Sequence, residues 1–342
     1  MRSRRGLSPA LVLFLLSPAI GELLSGSSPP AEFSNPFGLM LLASLYGSGA
    51  ILCRELTWRW KKGWPTLLAL GAAYGIVEEG LMVKSFFDPS WMDLGPLGVY
   101  GRWAGVNWVW AVVLTAYHAL FSISIPVLLV SLTFPARRGE AWLGRRSFRL
   151  LTGLLVFVVA FGFFALTPYR PPWIPYLMAA ACVFALYGLA RKLPTPTRRV
   201  LESAHRLPGP VWFCVVGFAG TLVFFLMAWV VPNTQVPPTV NIALIGGWLW
   251  WLGSRLARRL ITRDGKEEAR LHALAAGALG FFILLAPLQE FDPTRVDNTS
   301  GMTLVGLVAL LALVLLYRQL RRRSAWEAMP PEMGASPPAA VG

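Results

Sequence analysis

Ten apolar runs, most of 17 to 23 residues, constrain this chain more than any other feature. They fall at 8–24, 37–53, 65–87, 106–133, 149–167, 172–190, 211–231, 239–260, 270–288 and 301–319. About 20 apolar residues make a helix as long as a bilayer's hydrocarbon core is thick. In lipid every backbone N–H and C=O must be satisfied within the protein, so only helices or closed barrels span. A barrel would show short alternating strands instead of continuous apolar runs. The fold class expected is therefore all-α: a polytopic transmembrane helix bundle of about ten spans. Composition agrees, with 14% charged residues in 342 where soluble domains carry about 25%.

The basic residues test the count of spans. Lys and Arg accumulate in cytoplasmic segments. They cluster before the first run and after the second, fourth, sixth, eighth and tenth. Ten spans with both termini cytoplasmic put 27 of the 31 Lys and Arg on one side, leaving Arg102, Arg170 and Arg295 opposite and Lys84 within a run. The net charge of +14 is thus read as orientation and contact with anionic lipid at the cytoplasmic face, not as nucleic-acid binding. The expected location is a prokaryotic inner (plasma) membrane, with the N-terminal run retained as the first span. Residues 1–325 read as one membrane domain and 326–342 as a disordered Pro/Ala/Gly-rich cytoplasmic tail. Trp58, Trp60, Trp64, Trp91, Trp103, Trp108 and Trp110 read as interfacial belts. Cys53, Cys182 and Cys214 lie in apolar runs and make no disulfide or metal framework.

Against this background Glu78 and Glu79 stand out, adjacent in the middle of the third run. A single ionised acid at the bilayer centre costs roughly 2.5–3.5 kcal/mol on insertion scales, so the pair needs a cavity, a partner or protons. At 1.5 Å per residue, Glu78 lies roughly 13 Å below Phe87, and His118 in the fourth run lies roughly 16 Å below Asn107. Consecutive spans pack as neighbours, so the acids and the imidazole are expected to meet. Gly71, Gly75 and Glu79 share a face whose small residues let another helix approach closely. Tyr74 and Glu78 share the next face. In the fourth run His118, Ser122 and Pro126 form a stripe, and Pro126 deprives the Ser122 carbonyl of its helical donor. That carbonyl requires another partner.

Glu22 and Lys84 lie nearer the outer boundary and are expected either to pair across the rim or, for Lys84, to snorkel to the interface. Asn241 in the eighth run is an interhelical hydrogen bond or a binding group. The residues that carry chemistry are thus Glu78, Glu79 and His118, as a proton relay or a general base, with Glu22, Lys84, Tyr74, Ser122 and Asn241 as binding candidates. No zinc spacing, nucleophile elbow, phosphate loop or dinucleotide fingerprint is present, so neither metal nor cofactor is expected.

Glu78-Glu79 followed by Lys84, with His118 and Ser122 on the next run, resembles the CAAX-protease and bacteriocin-processing membrane endopeptidases. The resemblance implies that a glutamate activates water with help from the histidine. It covers about a fifth of the chain, and it departs from the family at Lys84, one position late, and at Leu114, where a Phe would precede the histidine. Two functions follow from the residues: a transporter using the site as a proton or cation relay for a small solute, or an intramembrane hydrolase acting on a peptide or lipid. A membrane scaffold is the third.

Overall fold

The computed structural model describes residues 7–92, 94–195, 208–260 and 266–327. It is almost wholly helical, with a helix in each of the ten expected segments. We number these α1 (Pro9–Leu24), α2 (Pro36–Arg59), α3 (Trp64–Gly75, continued by a π-helical stretch Ile76–Met82), α4 (Trp108–Thr133), α5 (Arg145–Leu166), α6 (Trp173–Lys192), α7 (Pro210–Trp229), α8 (Pro238–Leu260), α9 (Glu267–Glu290) and α10 (Met302–Glu327). Seven of the described helices are long and apolar enough to cross a membrane, and α1 is shorter but apolar. A two-residue hairpin, Arg102–Trp103 against Val106–Asn107, leads into α4. His205 and residues 328–342 of the tail lie outside the described residues.

Local chemistry sets the helix starts. Proline opens α1, α2, α3, α7 and α8 at positions where its missing N–H costs nothing. Asn35 caps α2 by accepting from the N–H groups of Phe37 and Gly38, and Asn107 caps α4 through Trp110.

The helix ends sort into two poles. At one, Arg54 donates to Arg138 O (2.9 Å), Thr66 to Ala190 O (3.0 Å) and Arg323 to Leu132 O (3.0 Å), and Arg138 pairs with Glu268 at 2.7 Å. These contacts gather the ends of α2, α4, α6 and α10 with the starts of α3 and α9. A buried network locks this pole: Glu55 takes Arg54 at 2.7 Å and the Trp142 N–H at 2.8 Å, with the Arg54 guanidinium 3.8 Å from the Trp142 ring centre. At the other pole Gln289 donates to Ser25 O (2.8 Å), Arg295 to Gly26 O (2.7 Å), Tyr169 to Phe87 O (3.1 Å) and Tyr100 to Val236 O (3.0 Å). Two apolar cores run between the poles, one around α1, α2, α3 and α5, the other joining α4 to α7, α9 and α10. α3 and α4 lie where they meet.

Candidate functional site

Helices α1 to α4 each pass from α-helical to π-helical winding, midway in α2 and α4 and in the closing turns of α1 and α3. The stretches are Ala19–Leu24, Ala43–Gly47, Ile76–Met82 and His118–Ser124. A π-turn inserts an extra residue, loosens the backbone ladder and often marks a functional site. Here the four stretches carry Glu22, Tyr46, the Glu78–Glu79 pair, and His118 with Ser122, and all of these side chains converge.

Close helix contact makes the convergence possible. A Cβ added at Gly75 would lie 2.9 Å from His118 Cβ, and one at Gly71 would lie 2.9 Å from Ala119 Cα. The small-residue face predicted on α3 is therefore the face that admits α4. Gly21 does the same for α1, where an added Cβ would lie 2.8 Å from both Ser122 Oγ and the Tyr46 ring.

His118 is the hub. Its Nε2 lies 3.1 Å from Glu79 Oε1. Its Nδ1 lies 3.0 Å from Ser122 Oγ and 3.3 Å from Glu78 Oε2. The rings of Tyr46, Tyr74 and Tyr117 surround the imidazole at 5.9, 6.1 and 5.2 Å between centres. Glu79 also accepts from the Ser85 hydroxyl, which in turn takes the Trp110 indole N–H at 3.0 Å. On the far side Tyr46 donates to Glu22 and faces the Glu78 carboxylate, while Ser28 donates to Glu22 at 2.7 Å. Glu78 Oε2 is buried with only the 3.3 Å ion-pair contact to His118, and the Tyr74 hydroxyl is buried without a hydrogen-bond partner among the described residues.

The carbonyl freed by Pro126 has the partner it requires. Ser17 donates to Ser122 O at 2.6 Å and lies 3.2 Å from Tyr46 O. One serine thus ties the irregular backbones of α2 and α4 to α1.

Two predicted binding residues are not brought to the cluster. Lys84 neither pairs with Glu22 nor reaches the interface. It is fully buried and donates to Phe163 O (2.7 Å) and Thr167 O (3.1 Å) at the end of α5, with the Phe163 ring beneath it. The reason is local: α3 has ended at Met82, and Lys84 takes the left-handed conformation (φ 68°), which turns its side chain onto the C-terminal carbonyls of α5. Those carbonyls, not a carboxylate, supply the negative partner. Asn241 is buried between α7 and α8 and donates to Met227 O at 3.1 Å, the interhelical hydrogen bond of the sequence reading. Trp110 is a further correction: it is 9% exposed and supports Ser85, so it is no belt residue. Tyr46, Ser85 and Ser17 belong to the site although nothing in their spacing singled them out.

No spacing in the sequence gives a metal motif, yet the fold gathers three donors. One ligand atom each from Glu78, Glu79 and His118 lie within 4.8 Å of one another, a set that could hold a cation.

A model for an uncharacterized membrane protein family matches residues 11–231. The chain belongs to that family. The matched region runs from α1 through α7 and contains every residue of the cluster, whereas α8 to α10 lie beyond it. An uncharacterized protein from Archaeoglobus fulgidus is 27% identical over 120 residues, which is 35% of this chain and 36% of that relative. No solved structure matches. Neither match supports the likeness to the endopeptidases, and Lys84, its basic member, faces α5.

Proposed function

We propose that this protein is a multi-pass transporter whose buried cluster carries protons or a cation in step with a small solute. The observation that carries the reading is an imbalance of charge. Three carboxylates, Glu22, Glu78 and Glu79, share their surroundings with a single imidazole, while the nearest lysine in sequence, Lys84, is committed to α5. Fully ionised, with His118 cationic, the group would hold two uncompensated negative charges at membrane depth. Burial of unpaired charge on that scale is resolved by taking up protons or binding a cation. The cluster is also a nearly continuous chain of proton-carrying groups, from Ser28 through Glu22, Tyr46, Glu78, His118 and Glu79 to Ser85. Such chains are the common form of proton relays in pumps and transporters. In this reading all ten helices span a plasma membrane, with the arginine-rich pole and both termini in the cytoplasm.

The test is uptake in reconstituted vesicles under an imposed pH gradient, screened over small solutes and divalent cations. Wild-type protein is expected to couple uptake to dissipation of the gradient, and Glu79→Gln to abolish both. Coupled uptake that survives Glu79→Gln sinks the reading.

A second reading is favoured by one observation. The Glu79 side chain keeps 13% of its surface exposed, with His118 Nε2 at 3.1 Å. A carboxylate that water can reach, held beside an imidazole, is a general base for hydrolysis. Turnover of a peptide or lipid without any gradient, lost in His118→Ala, would establish this reading in place of the first.

A further inference from the structure

Helices α7 and α8 meet tightly at one end and part at the other. Near their connection Asn241 and Trp248 cross to α7, the Trp248 indole donating to Gly220 O at 3.1 Å. Beyond Gly220 the two helices frame a cavity of about 320 Å³. Its walls are Trp212, Val216, Trp248, Trp251 and Leu252, and its mouth carries Arg255 and Arg259. Positions 248, 252, 255 and 259 fall on one helical face, so a single stripe of α8 runs from aromatic to basic.

Arg255 and Arg259 differ from Arg54, Arg138 and Arg323 in what holds them. Arg54 is bound by Glu55, Arg138 by Glu268, and Arg323 by the carbonyls of Leu132 and Thr133. Arg255 and Arg259 instead rest on indole faces, 5.6 Å from Trp251 and 4.7 Å from Trp212, with neither a carboxylate nor a hydrogen-bond partner among the described residues. Neither α7 nor α8 contains an acidic residue. The flanking side chains, Val211, Val215 and Trp250, are exposed in the way lipid-facing residues are. The result is an apolar slot open along the side of the bundle and ending in two guanidinium groups that, among the described residues, contact only indole rings.

From this juxtaposition we infer that the α7–α8 groove is a binding site for an anionic phospholipid, with one acyl chain in the tryptophan-lined slot and the phosphate at Arg255 and Arg259. Charge and shape argue together. The phosphate meets two planar donors suited to bidentate contact, and the chain fills a slot at the small end of the size range for ligand sites. Basic pockets between membrane helices on the cytoplasmic side bind anionic headgroups by the same chemistry. The site shares no residue with the Glu/Glu/His cluster and stands whether or not that cluster transports protons.

The experiment measures binding of phosphatidylglycerol, phosphatidylcholine and inorganic phosphate to the purified full chain in zwitterionic detergent, by native mass spectrometry. Wild-type protein is expected to prefer phosphatidylglycerol over phosphatidylcholine by about thirty-fold, the sum of two near-surface basic contacts. The double variant Arg255→Gln/Arg259→Gln should erase that preference, and Arg255→Lys/Arg259→Lys, which keeps the charge but loses the planar fork, should retain only part of it. Trp212→Ala should weaken both lipids. Equal binding of the two lipids, or a preference that persists in the glutamine variant, overturns the inference. Inorganic phosphate binding as tightly as phosphatidylglycerol overturns the lipid assignment and leaves an anion site.

Discussion

Tyr46 joins two acids that the chain places on different helices. It donates to Glu22 of α1 and faces Glu78 of α3, while its ring packs 5.9 Å from His118. Replacing it by phenylalanine keeps the ring and deletes the donor. Glu22 then retains only Ser28, and a half-buried carboxylate loses its strongest contact. Losing a hydrogen bond to a buried polar group costs about 1–3 kcal/mol. Tyr46→Phe is expected to lower stability in detergent by that amount and to slow any proton-coupled uptake, read by thermal unfolding and vesicle assay; an unchanged unfolding midpoint would refute the role assigned to the hydroxyl. The sequence pointed to Glu78, Glu79 and His118 because charges at membrane depth are costly wherever they occur, and counting the rise per residue put them level. It could not point to Tyr46, because a tyrosine in a run of small residues carries no such cost and so no signal. Lys84 was misplaced for a different reason. Its direction depends on a backbone that has left the helix one residue earlier, and helix exits are the least legible part of an apolar run.

The π-turns of α1 to α4 were not legible at all. Winding from α to π follows from what neighbouring helices demand of a backbone, and a 3.6-residue count along one helix holds no trace of it. The glycine face of α3 was legible, since small residues four apart mean close approach whatever the partner. That approach fixes the distance between Glu79 and His118. A methyl group at Gly75 would sit 2.9 Å from His118 Cβ and 3.3 Å from Thr115 Cα, both on α4. Because those atoms belong to or adjoin the α4 backbone, the helix itself must move. Overpacking of this kind costs about 1–3 kcal/mol. Gly75→Ala is expected to lose that much stability and to stretch the 3.1 Å Glu79–His118 contact. Gly188→Ala on α6, where an added Cβ meets nothing within 4 Å, should cost nothing. Chemical denaturation of the two variants side by side checks the claim; equal midpoints would remove α3–α4 contact as the determinant of site geometry.

At the scale of the whole molecule, the alternation of basic and weakly basic loops corresponds to the two poles of the bundle. Arg54, Arg59, Arg138 and Arg323 meet at one pole. Arg102, Arg170 and Arg295, the basic residues of the opposite loops, bind local carbonyls or an aspartate at the other: Arg102 donates to Phe87 O at 2.8 Å, Arg170 to Thr167 O at 3.0 Å, and Arg295 pairs with Asp297 at 2.5 Å. Arg102 and Arg170 keep their full charge on neutral carbonyls and only Arg295 is offset by a carboxylate, so the asymmetry is one of number: three basic residues in these loops against the many of the opposite ones. The asymmetry therefore favours the Arg54 pole as cytoplasmic. Two exposed loop positions read the orientation directly: Val99 belongs to the weakly basic pole, and Gly139 lies in the loop after α4. In a chain with Cys53, Cys182 and Cys214 replaced by alanine, a membrane-impermeant maleimide should label Val99→Cys in intact cells and Gly139→Cys only after permeabilisation. The reverse pattern would invert the bundle and place the acid cluster toward the cytoplasm. Labelling of both positions in intact cells would mean that the loops on either side of α4 share a face, which breaks the odd–even alternation on which the ten-span topology depends.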